Sequence, residues 1–381
     1  MKYRSSFPYF DDDNIRQILA DIEAVLKSGV LSRGPYTKKL EQKFCEFIGA
    51  KHAVAVSSGG ASLEIALRYF GIKDREVIVP TNTFVATPNS VVFAGGKPIF
   101  ADMREDTLCI DLNDVESRIS SKTAGVIVVH IAGLVCPQIN ELKNLCKDNG
   151  LFLIEDCAHA HGAMIHDKMA GTLGDVGCFS FAPTKNMTTG EGGILVSDDE
   201  RLDITARSMR NRGLDSKQLM VMLGHSWLMS EITAVLGVHQ LENLDFFVNR
   251  RNEIAQYYDE HLKTVTGVSL FKTPPNFKHG YHKYPIKLDT DLDTEKIVGI
   301  LKEQYGIETS RAYYPPCHLQ PYYKTTFGTR EGDFPVAEKI LKQTLTLPIH
   351  IGITHEDVSY ITNALSLSIQ TLRDQRSQIQ K

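Results

Sequence analysis

No stretch of this chain approaches the roughly 18 consecutive apolar residues that a membrane-crossing helix needs. The first residues, Met1-Lys2-Tyr3-Arg4-Ser5-Ser6-Phe7, lead into Asp11-Asp12-Asp13 with no apolar core of the signal-peptide kind. A basic excess is missing as well. The net charge of −4 leaves no electrostatic footprint for nucleic acid. The 7 cysteines are an odd number, scattered singly and without a C-x-x-C pair, which argues for reduced thiols and against a disulfide framework. Internal repeats and low-complexity tracts are absent. The polar residues 370–381 are expected to fray. These absences predict a cytosolic globular protein, and 381 residues give room for two domains.

The first two-thirds of the chain alternates short apolar strands with amphipathic helices. Candidate strands are Ala53–Ser57, Val77–Val79, Pro98–Ala101, Gly125–His130, Leu151–Glu155, Cys178–Phe181 and Gly193–Val196. Several are unbroken β-branched or aromatic runs, as strands buried on both faces should be. Between them, Leu63, Ala66, Leu67 and Phe70 fall on one face of a helix over Ala61–Phe70. Pro137–Cys146 reads as another helix, closed by Asn149-Gly150. The alternation predicts an α/β fold with a mostly parallel sheet. Helices are expected over Ser230–Leu241 and from about Asp245 to Leu262, with a domain boundary inside the second. Beyond it, a strand at Tyr284–Leu288 and helices at Thr294–Tyr305, Pro335–Gln343 and His355–Thr371 suggest a smaller α/β domain. The expected division is 1–249 and 250–381.

Chemistry concentrates at a few points. Asp156 follows the strand Leu151–Glu155, where ligands of open α/β sheets bind. Lys185 comes 29 residues later, after a second apolar strand. A lysine that carries pyridoxal 5'-phosphate (PLP) and an acid that pairs with its pyridinium nitrogen form such a pair. Taken singly, Asp156 also fits a turn or cap residue and Lys185 a solvated loop lysine. Ser180, five residues before Lys185, offers a hydroxyl to a phosphate or is simply a strand serine. Ser57-Ser58-Gly59-Gly60-Ala61 joins a strand to a helix and suits an anion or an ordinary tight turn. Phe84 could stack on a flat ring or sit in the core. Cys157, His159 and His161 alternate as the ligands of a soft metal would, but no fourth ligand accompanies them, and no metal is expected.

Together these segments resemble the DegT/DnrJ/StrS aminotransferases, a branch of PLP-dependent transferase fold type I, the aspartate aminotransferase-like fold. The resemblance runs from Leu31-Ser32-Arg33-Gly34-Pro35-Tyr36 through Glu155-Asp156-Cys157-Ala158-His159-Ala160-His161-Gly162-Ala163 and Ser180-Phe181-Ala182-Pro183-Thr184-Lys185-Asn186. It continues to Arg311-Ala312-Tyr313-Tyr314-Pro315-Pro316 and Leu347-Pro348-Ile349-His350. It implies that Lys185 is the Schiff-base lysine and that Asp156 holds the pyridine nitrogen. It places His159 near the ring hydroxyl and Phe84 on the ring. Gly59, Gly60, Ala61 and Ser180 would hold the phosphate, with Ser226 reaching the cofactor of a partner chain. It further implies a homodimer with shared active sites, and transfer of an amino group from glutamate or glutamine to a keto sugar through pyridoxamine 5'-phosphate. The nearest alternatives are a keto-inositol or small keto-phosphate substrate, or a non-catalytic PLP-binding regulator. This chain departs from the family pattern at Gly60, where Thr is common, and at Leu228 in Ser226-Trp227-Leu228-Met229, where the family has arginine.

Overall fold

Thirteen strands and the helices between them are laid out in the computed structural model, which describes residues 2–379. In chain order the strands are β1 (His52–Val56), β2 (Glu76–Pro80), β3 (Lys97–Ala101), β4 (Thr123–Val129), β5 (Phe152–Asp156), β6 (Met164–Ile165) and β7 (Lys168–Met169). They continue with β8 (Val176–Ser180), β9 (Gly193–Ser197), β10 (Val268–Leu270), β11 (Phe277–Lys278), β12 (Tyr284–Leu288) and β13 (Thr344–Leu347). Seven build the central sheet in the order β1-β9-β8-β5-β4-β2-β3. Every pairing in it is parallel except the two made by β9. All seven expected strands are present, with ends shifted by one or two residues. The shift matters at β5, because Asp156 is its last residue and not the first one after it.

Helices cover the sheet. Gly59–Tyr69 starts two residues before the expected helix because the Ser58 side chain caps it. The expected Pro137–Cys146 helix runs instead from Ile139 to Asp148. Helices Asp12–Ser28, Pro35–Ile48, Ala86–Phe93 and Glu200–Arg210 were not signalled by the residues singled out above. The last helix, His355–Ile379, extends through residues expected to fray; 380–381 lie outside the described residues. Among the described residues no helix is long and apolar enough to cross a membrane.

A three-stranded antiparallel sheet, β10-β12-β13, packs with helices Thr294–Tyr305 and His355–Ile379 around a second hydrophobic cluster. The helix Leu244–Leu262 enters both clusters. Leu244 and Val248 belong to the first, and Ile254, Ala255, Tyr258 and Leu262 to the second. The chain also crosses back: Cys317, Tyr323, Phe334 and Ile340 pack into the first cluster.

Candidate active site

Parallel strands place their carboxyl ends along one edge of the central sheet, and a cavity of about 570 Å³ opens there. Of the residues singled out from sequence, Gly59, Gly60, Phe84, Asp156, His159, Ser180 and Lys185 line it. Ala61 and Ser226 do not.

The turn after β1 is shaped by close packing. A Cβ on Gly59 would lie 2.7 Å from the Ser180 Cβ, and one on Gly193 would lie 2.4 Å from the Ser58 carbonyl carbon. Only glycine lets the turn sit against β8 and β9. The first N–H groups of a helix have no partner within it. Here the Ser58 hydroxyl accepts the Ala61 N–H at 3.1 Å, so the preceding donors, Gly59 and Gly60, are the ones left for an anion. Ala61 therefore contributes to the cap and not to the wall. The Ser180 side chain faces the same end of the cavity.

Asp156 is buried at 5% exposure. Its Oδ2 accepts from the Thr87 hydroxyl at 2.7 Å and its Oδ1 from the Ala158 N–H at 3.1 Å. Burial pushes the carboxyl above the ordinary aspartate range, while Thr87, Ala158 and the charge on Lys185 pull it back. Lys185 is half-buried, and burial lowers its pKa to about 8 against the attraction of Asp156. Lys283, in the same cavity wall, adds to that lowering. An amine so tuned is neutral often enough to act as a nucleophile.

His159 is buried, and burial together with the charges of Lys185 and Lys283 holds it well below the usual histidine range. Its Nδ1 accepts the Ala132 N–H at 3.3 Å. A neutral ring then carries its hydrogen on Nε2, which donates to the Tyr313 hydroxyl 2.7 Å away. Both nitrogens are engaged, so the polar group this pair presents to the cavity is the Tyr313 hydroxyl. Phe84, 57% exposed, lies 6.0 Å from the Tyr313 ring. Tyr313 holds a left-handed φ of 65°, a conformation that costs roughly 1–3 kcal/mol in a non-glycine residue and concentrates at functional sites.

Thr87, Tyr313, His282, Lys283, Ser310 and Thr346 were missed by the sequence reading. Each lines the cavity, and no local motif marks them except Tyr313, which stands in the Arg311–Pro316 run of the resemblance without a role having been given to it. Cys157, by contrast, does not converge with His159 and His161. It lies beside His130 and Glu155, while His161 packs between Phe179 and Phe181. Glu155 in turn accepts from His130 Nε2 at 2.8 Å and from the Gly171, Leu173 and Gly174 N–H groups, so it serves as a structural carboxylate. Ser226 is exposed, and its hydroxyl accepts from Arg212 at 3.2 Å.

Residues 12–366 match the model of the DegT/DnrJ/EryC1/StrS aminotransferase family. A GDP-perosamine synthase of Vibrio cholerae is 34% identical over 93% of this chain and 96% of its own. The S. venezuelae structure of DesV in complex with a ketimine intermediate superimposes with a TM-score of 0.89 at 30% identity, covering 95% of this chain and 98% of that one. The PLP form of the sugar aminotransferase Spr1654 from Streptococcus pneumoniae, described as putative, superimposes at 0.90 with 25% identity, over 98% and 99%.

Proposed function

Because this chain belongs to the DegT/DnrJ/EryC1/StrS aminotransferase family, we propose that it moves an amino group from glutamate or glutamine to a nucleotide-linked keto sugar, in the cytosol, with PLP as cofactor. The observation that carries this reading is the convergence of Lys185, Asp156 and the Gly59–Gly60 turn on one cavity. Those residues fit the cofactor: free backbone donors and the Ser180 hydroxyl for its phosphate, a buried carboxylate for its ring nitrogen, an aromatic face, and an amine of lowered pKa. Bound there, PLP supplies the electron sink that an amino transfer needs.

The chain's own residues do the rest. Asp156, fixed by Thr87 and Ala158, holds a proton on the ring nitrogen through opposite charge in a buried setting. Phe84 would offer its aromatic face to the ring, and Tyr313, bonded to His159, would offer a hydroxyl. The Lys185 amine, when neutral, would serve as the base that takes the proton from the donor Cα and, as the ammonium, would give it back to complete the transfer. We place the cofactor residues in a large unit, 1–249, and assign the opposite wall to a smaller unit, 250–381. The two hydrophobic clusters flanking residues 248–254 support that division. We also propose a homodimer in which Ser226 serves the partner's cavity; its exposure and its absence from this chain's own cavity wall support that role.

The test is an absorption spectrum of the PLP-loaded protein before and after addition of L-glutamate or L-glutamine. Conversion of the bound chromophore to its pyridoxamine form is expected with one of them, and none in Lys185→Ala. A wild-type spectrum indifferent to both donors, or full turnover in Lys185→Ala, would sink the reading.

A further inference from the structure

We propose that Lys283, held by Ser310, is a second cationic binding point in the cavity and takes the α-carboxylate of the amino-acid donor. The proposal rests on the cofactor reading of the cavity and adds to it the residue that selects the donor.

Lys283 stands at the entry to β12. Its N–H donates to the Ala132 carbonyl at 3.1 Å, and the next residue, Tyr284, pairs with Leu347 of β13, so its backbone is fixed. The side chain lines the cavity that also contains Lys185. Its Nζ donates to the Ser310 Oγ at 2.9 Å. The Thr346 hydroxyl donates to the Ser310 carbonyl at 3.1 Å, which leaves the Ser310 proton for Thr346 and the Ser310 lone pair for Lys283. An ammonium has three donors. Ser310 takes one, and among the described residues no carboxylate takes another.

That arrangement is costly for the folded chain alone. Burial lowers the pKa of the Lys283 ammonium to about 8, and among the described residues no carboxylate is seen to pull it back. Lys283 is half-buried, and a cation partly withdrawn from water without a counter-charge is destabilising unless a ligand brings one. The neighbouring imidazoles of His159 and His282 are both held neutral by burial and do not share the role.

Position identifies the anion. The Gly59–Gly60 turn and Ser180 occupy the phosphate end. Lys283 instead lies close enough to Lys185 to lower its pKa. An amino-acid donor replaces the lysine nitrogen with its own, and its α-carboxylate then stands two bonds from that nitrogen. A cation beside Lys185 is therefore where that carboxylate would be held.

The experiment uses PLP-loaded wild type, Lys283→Met and Lys283→Arg. Two probes are titrated: 2-methyl-L-glutamate, which has the donor's amine and carboxylates but no α-hydrogen to transfer, and 4-aminobutanoate, which lacks the α-carboxylate. Binding is read by calorimetry, and KM for the keto sugar is measured alongside. Loss of one charged hydrogen bond predicts about tenfold or greater weakening of 2-methyl-L-glutamate in Lys283→Met, with 4-aminobutanoate unchanged and Lys283→Arg retaining most of the affinity. Unchanged 2-methyl-L-glutamate binding in Lys283→Met overturns the proposal. So does equal weakening of both probes, or a rise confined to the keto-sugar KM. Equal cofactor absorption in the three proteins confirms that the cavity is intact. A wild type that takes up no cofactor would instead overturn the cavity reading itself.

Discussion

Asp156 is buried and Lys185 half-buried in the same wall, and withdrawal from water moves their pKa values toward each other: the amine down, the carboxyl up. For Lys185 the sign has a kinetic consequence. Only the neutral amine attacks an aldehyde, and below its pKa of about 8 the neutral fraction falls tenfold for each pH unit. Uptake of PLP by cofactor-free protein should accelerate about tenfold per unit up to pH 8 and then level off. Stopped-flow absorbance measures it, and a rate that is flat from pH 6 to 8 would contradict the tuned amine. The same shift is a stability statement. Between about 8 and the ordinary lysine value of 10.5 the unfolded chain binds more protons than the folded one, so stability rises with pH across that window. These two residues could be read from sequence because Asp156 ends a strand and Lys185 follows one by five residues, each within its own local run. Thr87, 69 residues from Asp156, and Tyr313, 154 residues from His159, could not, because only tertiary folding brings them to their partners.

At the scale of elements, the turn between β1 and its helix sets the phosphate end of the cavity, and its two glycines are not equivalent. A methyl group on Gly59 meets the Ser180 Cβ at 2.7 Å, whereas the nearest atom to one on Gly60 is the Ser58 Oγ at 3.8 Å. Gly59→Ala should cost on the order of 1–3 kcal/mol by overpacking and loosen the cofactor. Gly60→Thr should fold normally and bind the cofactor at least as tightly, since it adds a hydroxyl donor. Thermal denaturation and PLP titration of both variants check the contrast; equal losses would refute it. The parallel sheet was legible because its strands are continuous apolar runs. β13 was not noticed, although Thr344-Leu345-Thr346-Leu347 alternates with period two, because a helix runs directly into it and its threonines are as buried as its leucines. The short strands β6, β7 and β11 hold two residues each and give periodicity nothing to act on.

For the whole molecule, the surface is the informative part. Leu219, Met220, Val221 and Leu223 are 55–79% exposed in one run that leads to Ser226. Contiguous exposed apolar surface of this kind usually marks an interaction site. A homodimer that covers it predicts a solution mass of twice the 42.5 kDa chain, and Val221→Asp with Leu223→Asp should shift that mass toward the monomer and cut activity together. Light scattering with a parallel assay decides; an active monomer would rule out a shared site. The charge and composition of the sequence argued against membrane and nucleic-acid partners but gave no hint of this run, because a loop has no period to betray which way its side chains face. The helix Leu244–Leu262 has a different consequence. It is a single rod anchored at one end in each hydrophobic cluster, and Arg251 midway along it donates to the Tyr281 and Ile349 carbonyls. Melting the second cluster would unwind half of that rod and release the segment leading to Lys283. The two halves are therefore thermodynamically one body, and heat should undo them in a single calorimetric event.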